Sequence, residues 1–228
     1  MDTLQEKSYK YENCWYRTGC NEPCNPKICV KYIEMSYLME NSNLPKAKQR
    51  TIKLSIPSKD KGAYLRLDEI RKNMDEFVSE GRNLYIGSSN TGTGKTSWAI
   101  KLMHNYFNQI WDGNGLRERA VFVHVPTFLM KCKFFDGQDK DFVKLRKLIE
   151  TVDLVVWDDI ASTDMSAYDI SQLEPYIDYR RLSELSNIFT ANYDNKELLK
   201  KALGERLTSR VWSNNSTEII IFKGGDIR

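Results

Sequence analysis

The sequence predicts an α/β protein: a five-stranded parallel sheet with flanking helices, preceded by a small cysteine-rich module. Three observations carry this. Five short apolar runs, at 83–87, 120–125, 153–158, 187–192 and 218–222, alternate with helical stretches. Continuous apolar strands separated by helices belong to a parallel sheet covered on both faces. A glycine-rich turn, Ser88 to Thr96, joins the first run to a long amphipathic helix, and four of the five cysteines lie ahead of all these runs. The 228 residues correspond to about one and a half domains.

The cysteines come first in the chain. Cys14, Cys20, Cys24 and Cys29 are spaced C-x5-C-x3-C-x4-C, with Gly19, Pro23, Asn25 and Pro26 between them. Turn residues let closely spaced ligands converge, and four thiolates satisfy the tetrahedral shell of zinc. An iron–sulfur cluster uses the same ligands. In a reducing compartment this pattern points to metal rather than disulfides. Cys132 stands alone and reads as a thiol without a role.

After the cysteines, Val30, Ile33, Tyr37 and Leu38 repeat at helical spacing until an Asn-Ser-Asn-Leu-Pro stop. Residues 46–72 carry nine Lys/Arg against Asp60, Asp68 and Glu69, and read as a connector leading into a helix from about Leu67 to Ser79. A boundary near residue 60 divides the chain into a module at 1–60 and a larger domain at 61–228. The helix from Thr96 to Trp111 buries Trp98, Ala99, Leu102, Met103, Tyr106, Phe107 and Ile110. A loop with Lys131, Lys133, Phe134, Phe135 and Lys140 follows the second strand. Basic and aromatic groups together suit single-stranded nucleic acid, and ordinary loop charge fits them equally well. The same alternatives hold for the basic connector. His104 and His124 are solitary and read as structural.

The glycine-rich turn is a phosphate-binding P-loop with one departure. In G-x-x-x-x-G-K-[ST] the first glycine is replaced by Ser89, while Gly92, Gly94, Lys95 and Thr96 keep their places. The backbone from Asn90, Thr91 and Gly92 through Thr93 to Thr96 and Ser97 would wrap the phosphates of ATP. Lys95 would reach the outer phosphates and the Thr96 hydroxyl would ligate magnesium. The third strand ends in Trp157-Asp158-Asp159, the Walker B form. Asp158 would hold magnesium, and Asp159 stands where a carboxylate orients attacking water. An Asp reaches less far than a Glu, so hydrolysis is expected to be slow or partner-stimulated.

From about Leu84 to the C-terminus the chain resembles the AAA+ ATPases of the DnaC/DnaI helicase-loader type, and the IstB transposition ATPases as close relatives. Gly92-Thr-Gly-Lys-Thr96, Leu154-Val-Val-Trp-Asp-Asp-Ile160, Phe189-Thr-Ala-Asn-Tyr193, Gly204-Glu-Arg-Leu-Thr-Ser-Arg210 and Gly224-Gly-Asp-Ile-Arg228 fall in the family's order. The resemblance implies that Asn192 is a sensor-1 residue and that Arg206 or Arg210, with Arg206 favoured, reaches a neighbour's nucleotide. It also implies that Arg228 is a sensor-2 arginine. The cysteine-rich N-terminus resembles the zinc-binding, helicase-contacting domain of the DnaI branch, and the layout looks most like phage or prophage loaders. The implied partners are the replicative hexameric helicase, single-stranded DNA and further copies of the chain.

Composition excludes little more. Lys and Arg number 34 against 31 Asp and Glu, a net charge of +3, which rules out a uniformly basic coating. No apolar run reaches the ~20 residues of a membrane span, and the N-terminus lacks a signal peptide's apolar centre, so a cytoplasmic protein without membrane partners is expected. Two other readings stay open: an IstB-like ATPase acting on duplex DNA, and a non-catalytic adaptor or inhibitor that binds ATP without turnover.

Overall fold

The computed structural model describes Cys14, Trp15, Cys20, Asn25, Leu54 and the stretches 27–46, 58–110, 115–134, 139–161, 165–213 and 215–226. Five strands, β1 (Asn83–Gly87), β2 (Ala120–His124), β3 (Leu154–Asp158), β4 (Ser186–Ala191) and β5 (Thr217–Ile221), form one sheet in the order β2-β3-β4-β1-β5. All neighbouring pairs are parallel. Each strand lies within one residue of its expected bounds.

The strands are mainly apolar because the sheet is covered on both faces, β5 less fully than the others. Leu84, Ile86, Phe122, Leu154, Val156, Ile188 and Ile220 pack with α1 (Val30–Asn41), α2 (Lys61–Lys72), α3 (Met74–Ser79) and α4 (Lys95–Gln109). The alternate residues Tyr85, Val121, Val123, Val155, Trp157 and Phe189 pack with α5 (Val125–Phe134), α6 (Lys140–Thr151), α7 (Ala167–Leu182) and α8 (Lys196–Val211). Successive side chains on a strand point to opposite faces, so one run of residues fills two cores.

Three expectations change. The helix expected at 67–79 is two helices, starting at Lys61 and interrupted at Asn73, whose φ of −127° and ψ of 44° are not helical. Helix α1 buries Met35, Leu38 and Met39, whereas Val30 and Ile33 face outward, with Val30 59% exposed. The face is set by the sheet: α1 packs in the α2–α4 layer, and Phe122 N–H donates to Ser42 O at 2.8 Å. The expected loop carrying Lys131 and Lys133 is helix α5. Pro126 lies in its first turn, where a missing N–H breaks no intrahelical bond. Phe134 is 81% exposed rather than core, and Phe135 lies outside the described residues. Gly204, with φ 74° and ψ 165°, breaks α8 just before Glu205-Arg206.

The strand ends opposite the P-loop are fastened by a fully buried cation. Arg180 donates through Nε to Asn187 Oδ1 at 2.8 Å and through its terminal nitrogens to the carbonyls of Ile149, Val152, Asp153 and Ser186. Asn187 Oδ1 also accepts from Trp157 Nε1 at 3.0 Å, and its amide donates to Asn83 Oδ1 at 2.9 Å. One network thus spans β1, β4 and β3. Burial lowers the Arg180 pKa to about 9.

Candidate functional site

The P-loop leaves β1 at Gly87 and closes at the first turn of α4. Gly92 and Gly94 adopt φ of 69° and 92°, the left-handed region that residues with a Cβ rarely enter. Gly94 is the N-cap of α4, so the loop presents backbone amides at a helix N-terminus, a favourable setting for phosphate. Ser88 Oγ accepts from Asn90 N–H at 3.1 Å and starts the turn. Gly87 serves packing, because a Cβ there would lie 2.3 Å from Tyr193 O. Lys95 donates from Nζ to Asn90 O at 2.9 Å and to Thr93 Oγ1 at 3.3 Å, which folds the ammonium back into the loop.

The Walker B residues stand directly beside it. Thr96 Oγ1 donates to Asp158 Oδ1 at 2.7 Å, and Thr190 Oγ1 donates to the same oxygen at 2.8 Å. The Thr190 hydroxyl also accepts from Asp159 N–H at 2.9 Å, and Thr190 O accepts from Ile160 N–H at 2.9 Å. Asp159 has a φ of 62°, a left-handed backbone conformation that residues with a Cβ rarely adopt. Asn192 Nδ2 donates to Asp159 Oδ1 at 3.0 Å. Burial, followed by the charge of Asp158, pushes the Asp159 carboxyl up, while His124 and Lys95 oppose that rise.

The structure therefore brings Lys95, Thr96, Asp158, Asp159 and Asn192 together at one edge of the sheet. It adds Thr190, which the sequence reading passed over. A threonine ending an apolar strand looks like ordinary β propensity; the signal was its place two residues before Asn192, on the same face of β4. His124, read as merely structural, ends β2 opposite Asp158 and acts electrostatically on Asp159.

Other expected site residues lie elsewhere. Arg206, whose side chain is 70% exposed, pairs with Glu174 at 2.6 Å and with Asp178 at 3.5 Å. Arg210 is less exposed and donates to Asp178 Oδ1 at 2.6 Å. Both are held by acids of α7. Lys131 and Lys133 are paired with Asp139 and Asp169, each at 3.0 Å. Arg228 lies outside the described residues.

Two absent groups can be compared with the residues present. Thr96 Oγ1 and Asp158 Oδ1 are hard oxygen donors placed side by side, a set that fits magnesium completed by phosphate oxygens and water. For zinc, among the described residues no group of three or more His, Cys, Asp or Glu side chains gathers at one point. Cys14, Cys20 and Cys29 are described, and Cys24 lies outside the described residues. No helix among the described residues is long and apolar enough to cross a membrane.

No family model and no curated protein sequence matches the chain. Solved structures do. The DnaC helicase loader superposes with a TM-score of 0.61 at 21% identity, over 81% of this chain and 98% of that one. DnaI gives 0.60 at 18% identity, over 81% and 94%. The AMPPCP-bound DnaA from Aquifex aeolicus gives 0.55 at 17%, over 73% of this chain and 48% of that one. The chain shares its fold with these structures.

Proposed function

We propose that the chain is a magnesium-dependent ATPase that loads the replicative hexameric helicase onto single-stranded DNA. The observation that carries this reading is the 2.7 Å contact between Thr96 and Asp158, at the base of a P-loop, in a fold shared with the DnaC helicase loader. In this reading the amides from Asn90 to Ser97 bind the polyphosphate and Lys95 leaves its carbonyl partner to reach the outer phosphates. Thr96 and Asp158 hold magnesium. Bound magnesium would neutralise phosphate charge. Asp159 orients water as the base, and Asn192, its hydrogen-bond partner, keeps that carboxylate aimed. Arg206, exposed on α8, serves a neighbouring copy, so turnover requires self-association. Arg228 would complete the site as a sensor-2 arginine.

The N-terminal segment is proposed as the helicase contact, with zinc on Cys14, Cys20, Cys24 and Cys29 holding it in shape. Elemental analysis should then find about one zinc per chain; four freely titrating thiols and no metal would remove zinc from the reading. A bacterial cytoplasm, of phage or host origin, is the corresponding location.

The test is reconstitution. Purified hexameric helicase, this chain and MgATP are mixed with circular single-stranded DNA, and helicase retained on the circles is measured. Retention that needs both this chain and ATP is expected. Retention unaffected by the chain would reject loading and leave the adaptor or the IstB-like reading, which duplex-DNA-stimulated turnover would favour.

A further inference from the structure

Asp60 stands immediately before α2, where an Asp ordinarily accepts hydrogen bonds from the first-turn amides of its own helix. It does not: no side-chain cap bond forms there. Its carboxylate, 3% exposed, instead accepts from Lys223 N–H at 2.6 Å and from Gly224 N–H at 3.2 Å through Oδ1, and from Gly224 N–H at 3.0 Å through Oδ2. Charge-assisted bonds to backbone amides are about twice as strong as neutral ones. A buried carboxylate therefore fixes two residues 163 and 164 positions away in the chain.

Those two residues begin the segment that lies on the P-loop. Phe222 N–H donates to Gly87 O at 2.8 Å, extending the β1–β5 ladder past the end of β5. Gly224 O then accepts from Asn90 Nδ2 at 2.9 Å. Two residues on, the Asp226 carboxylate packs against Gly92, where a Cβ would lie 2.2 Å from its Oδ1. One continuous path thus runs from the start of α2 through the C-terminal segment to two residues of the phosphate loop. Tyr64, one turn into α2, packs on Phe222 with ring centroids 5.3 Å apart, so the same helix grips the segment twice.

We infer that Asp60 is a positioning residue of the nucleotide site: it holds Lys223 and Gly224 beside the P-loop and so preorganises Asn90 for phosphate. This rests on the nucleotide reading above. The inference also makes the start of α2 and the nucleotide energetically coupled. Coupling of this kind is reciprocal: whatever shifts Asp60 weakens nucleotide binding, and bound nucleotide tightens the hold on the segment.

The experiment uses the full chain, as wild type, Asp60→Ala and Asp60→Asn, titrated with a fluorescent ATP analogue and Mg2+, alongside amide hydrogen exchange of 223–226. In Asp60→Ala the Lys223 and Gly224 amides should lose protection, and the analogue should bind about ten-fold more weakly, the ratio that loss of one such contact produces. Turnover at saturation should stay within about two-fold, because the Walker B carboxylates are untouched. Asp60→Asn keeps one acceptor and should fall between the two, a graded rescue that a general loss of stability would not give. It also covers the case in which Asp60→Ala fails to fold. Unchanged or tighter binding with an unprotected segment overturns the inference alone, as does a segment still protected in Asp60→Ala. A wild-type chain that binds no analogue overturns the nucleotide reading and the inference with it.

Discussion

Thr96 Oγ1 donates to Asp158 Oδ1 at 2.7 Å, joining the first turn of α4 to the end of β3. Between strands in the order β2-β3-β4-β1-β5, that contact crosses the place where β4 separates β3 from β1. The loop after β1 and the acid after β3 meet over β4, and this is why Thr190 and Asn192, both from the end of β4, sit between them. The sheet order brings Thr96, Asp158, Asp159, Thr190 and Asn192 together at the C-terminal ends of the three central strands.

Asp159→Asn should bind MgATP like wild type and lose turnover by about 100-fold, the usual contribution of a positioned base. Its pH behaviour is a second check. Burial and Asp158 push the Asp159 carboxyl up, so wild-type turnover should decline on acidification at a higher pH than an ordinary carboxylate would dictate. A raised folded-state pKa favours the folded chain below the unfolded value, and that contribution is lost as pH rises through the folded one. Asp159→Asn should therefore melt higher than wild type in neutral buffer, with the gain shrinking in acid. Equal melting at both would show that Asp159 carries no burial penalty.

Thr190→Val removes a hydroxyl that donates to Asp158 and accepts from Asp159 N–H while preserving shape. With Asp159 held at a φ of 62°, the lost acceptor should let the turn relax. Turnover should fall about ten-fold or more while nucleotide affinity stays within a few-fold, because the P-loop itself is untouched. Thr190→Ser should restore most of it. A variant with full turnover would show that Asn192 and the backbone aim Asp159 without Thr190.

Arg180→Met keeps the volume of the buried side chain and deletes all its donors. The carbonyls of Ile149, Val152, Asp153 and Ser186 and the Asn187 amide oxygen each lose a donor, although Trp157 Nε1 still serves Asn187 Oδ1 and Ser186 N–H still serves Asp153 O. The expected loss is about 3 kcal/mol or more, since buried acceptors left unpaired carry a desolvation penalty each. Denaturant titration measures it; a shift under about 1 kcal/mol would show that water replaces the guanidinium.

How much of this the sequence discloses follows from how far each residue's partners lie along the chain. The five strands are legible because burial on both faces makes them mainly apolar, and the P-loop is legible because its glycines and Lys95 are contiguous. Arg180 reads like any cation in the last turns of a helix, since nothing local shows that five acceptors from α6, β4 and the residues around them converge on it. Asp60 reads as one more acid in the basic connector, and only the return of the chain at Lys223 shows otherwise. Helix α5 is hidden by Pro126, which punctuates a loop as readily as it starts a helix. The outward face of α1 is invisible because Val30 and Met35 are equally apolar, and only the surface they meet decides between them.

The arginine on α8 gives the remaining prediction. Arg206 and Arg210 share Asp178, but Arg206 is 70% exposed on its side chain and Arg210 26%, so Arg206 is the guanidinium free to swing into a neighbouring copy. Arg206→Ala should keep nucleotide affinity and lose turnover by about 1000-fold if it stabilises transferred phosphoryl charge in trans. Because Asp159→Asn retains Arg206 and Arg206→Ala retains Asp159, mixing the two inactive variants should restore part of the activity at mixed interfaces. Wild-type specific activity should also rise with protein concentration. Mixtures that stay inactive, together with a wild-type rate independent of concentration, would place the arginine's role within its own chain, against Glu174 and Asp178.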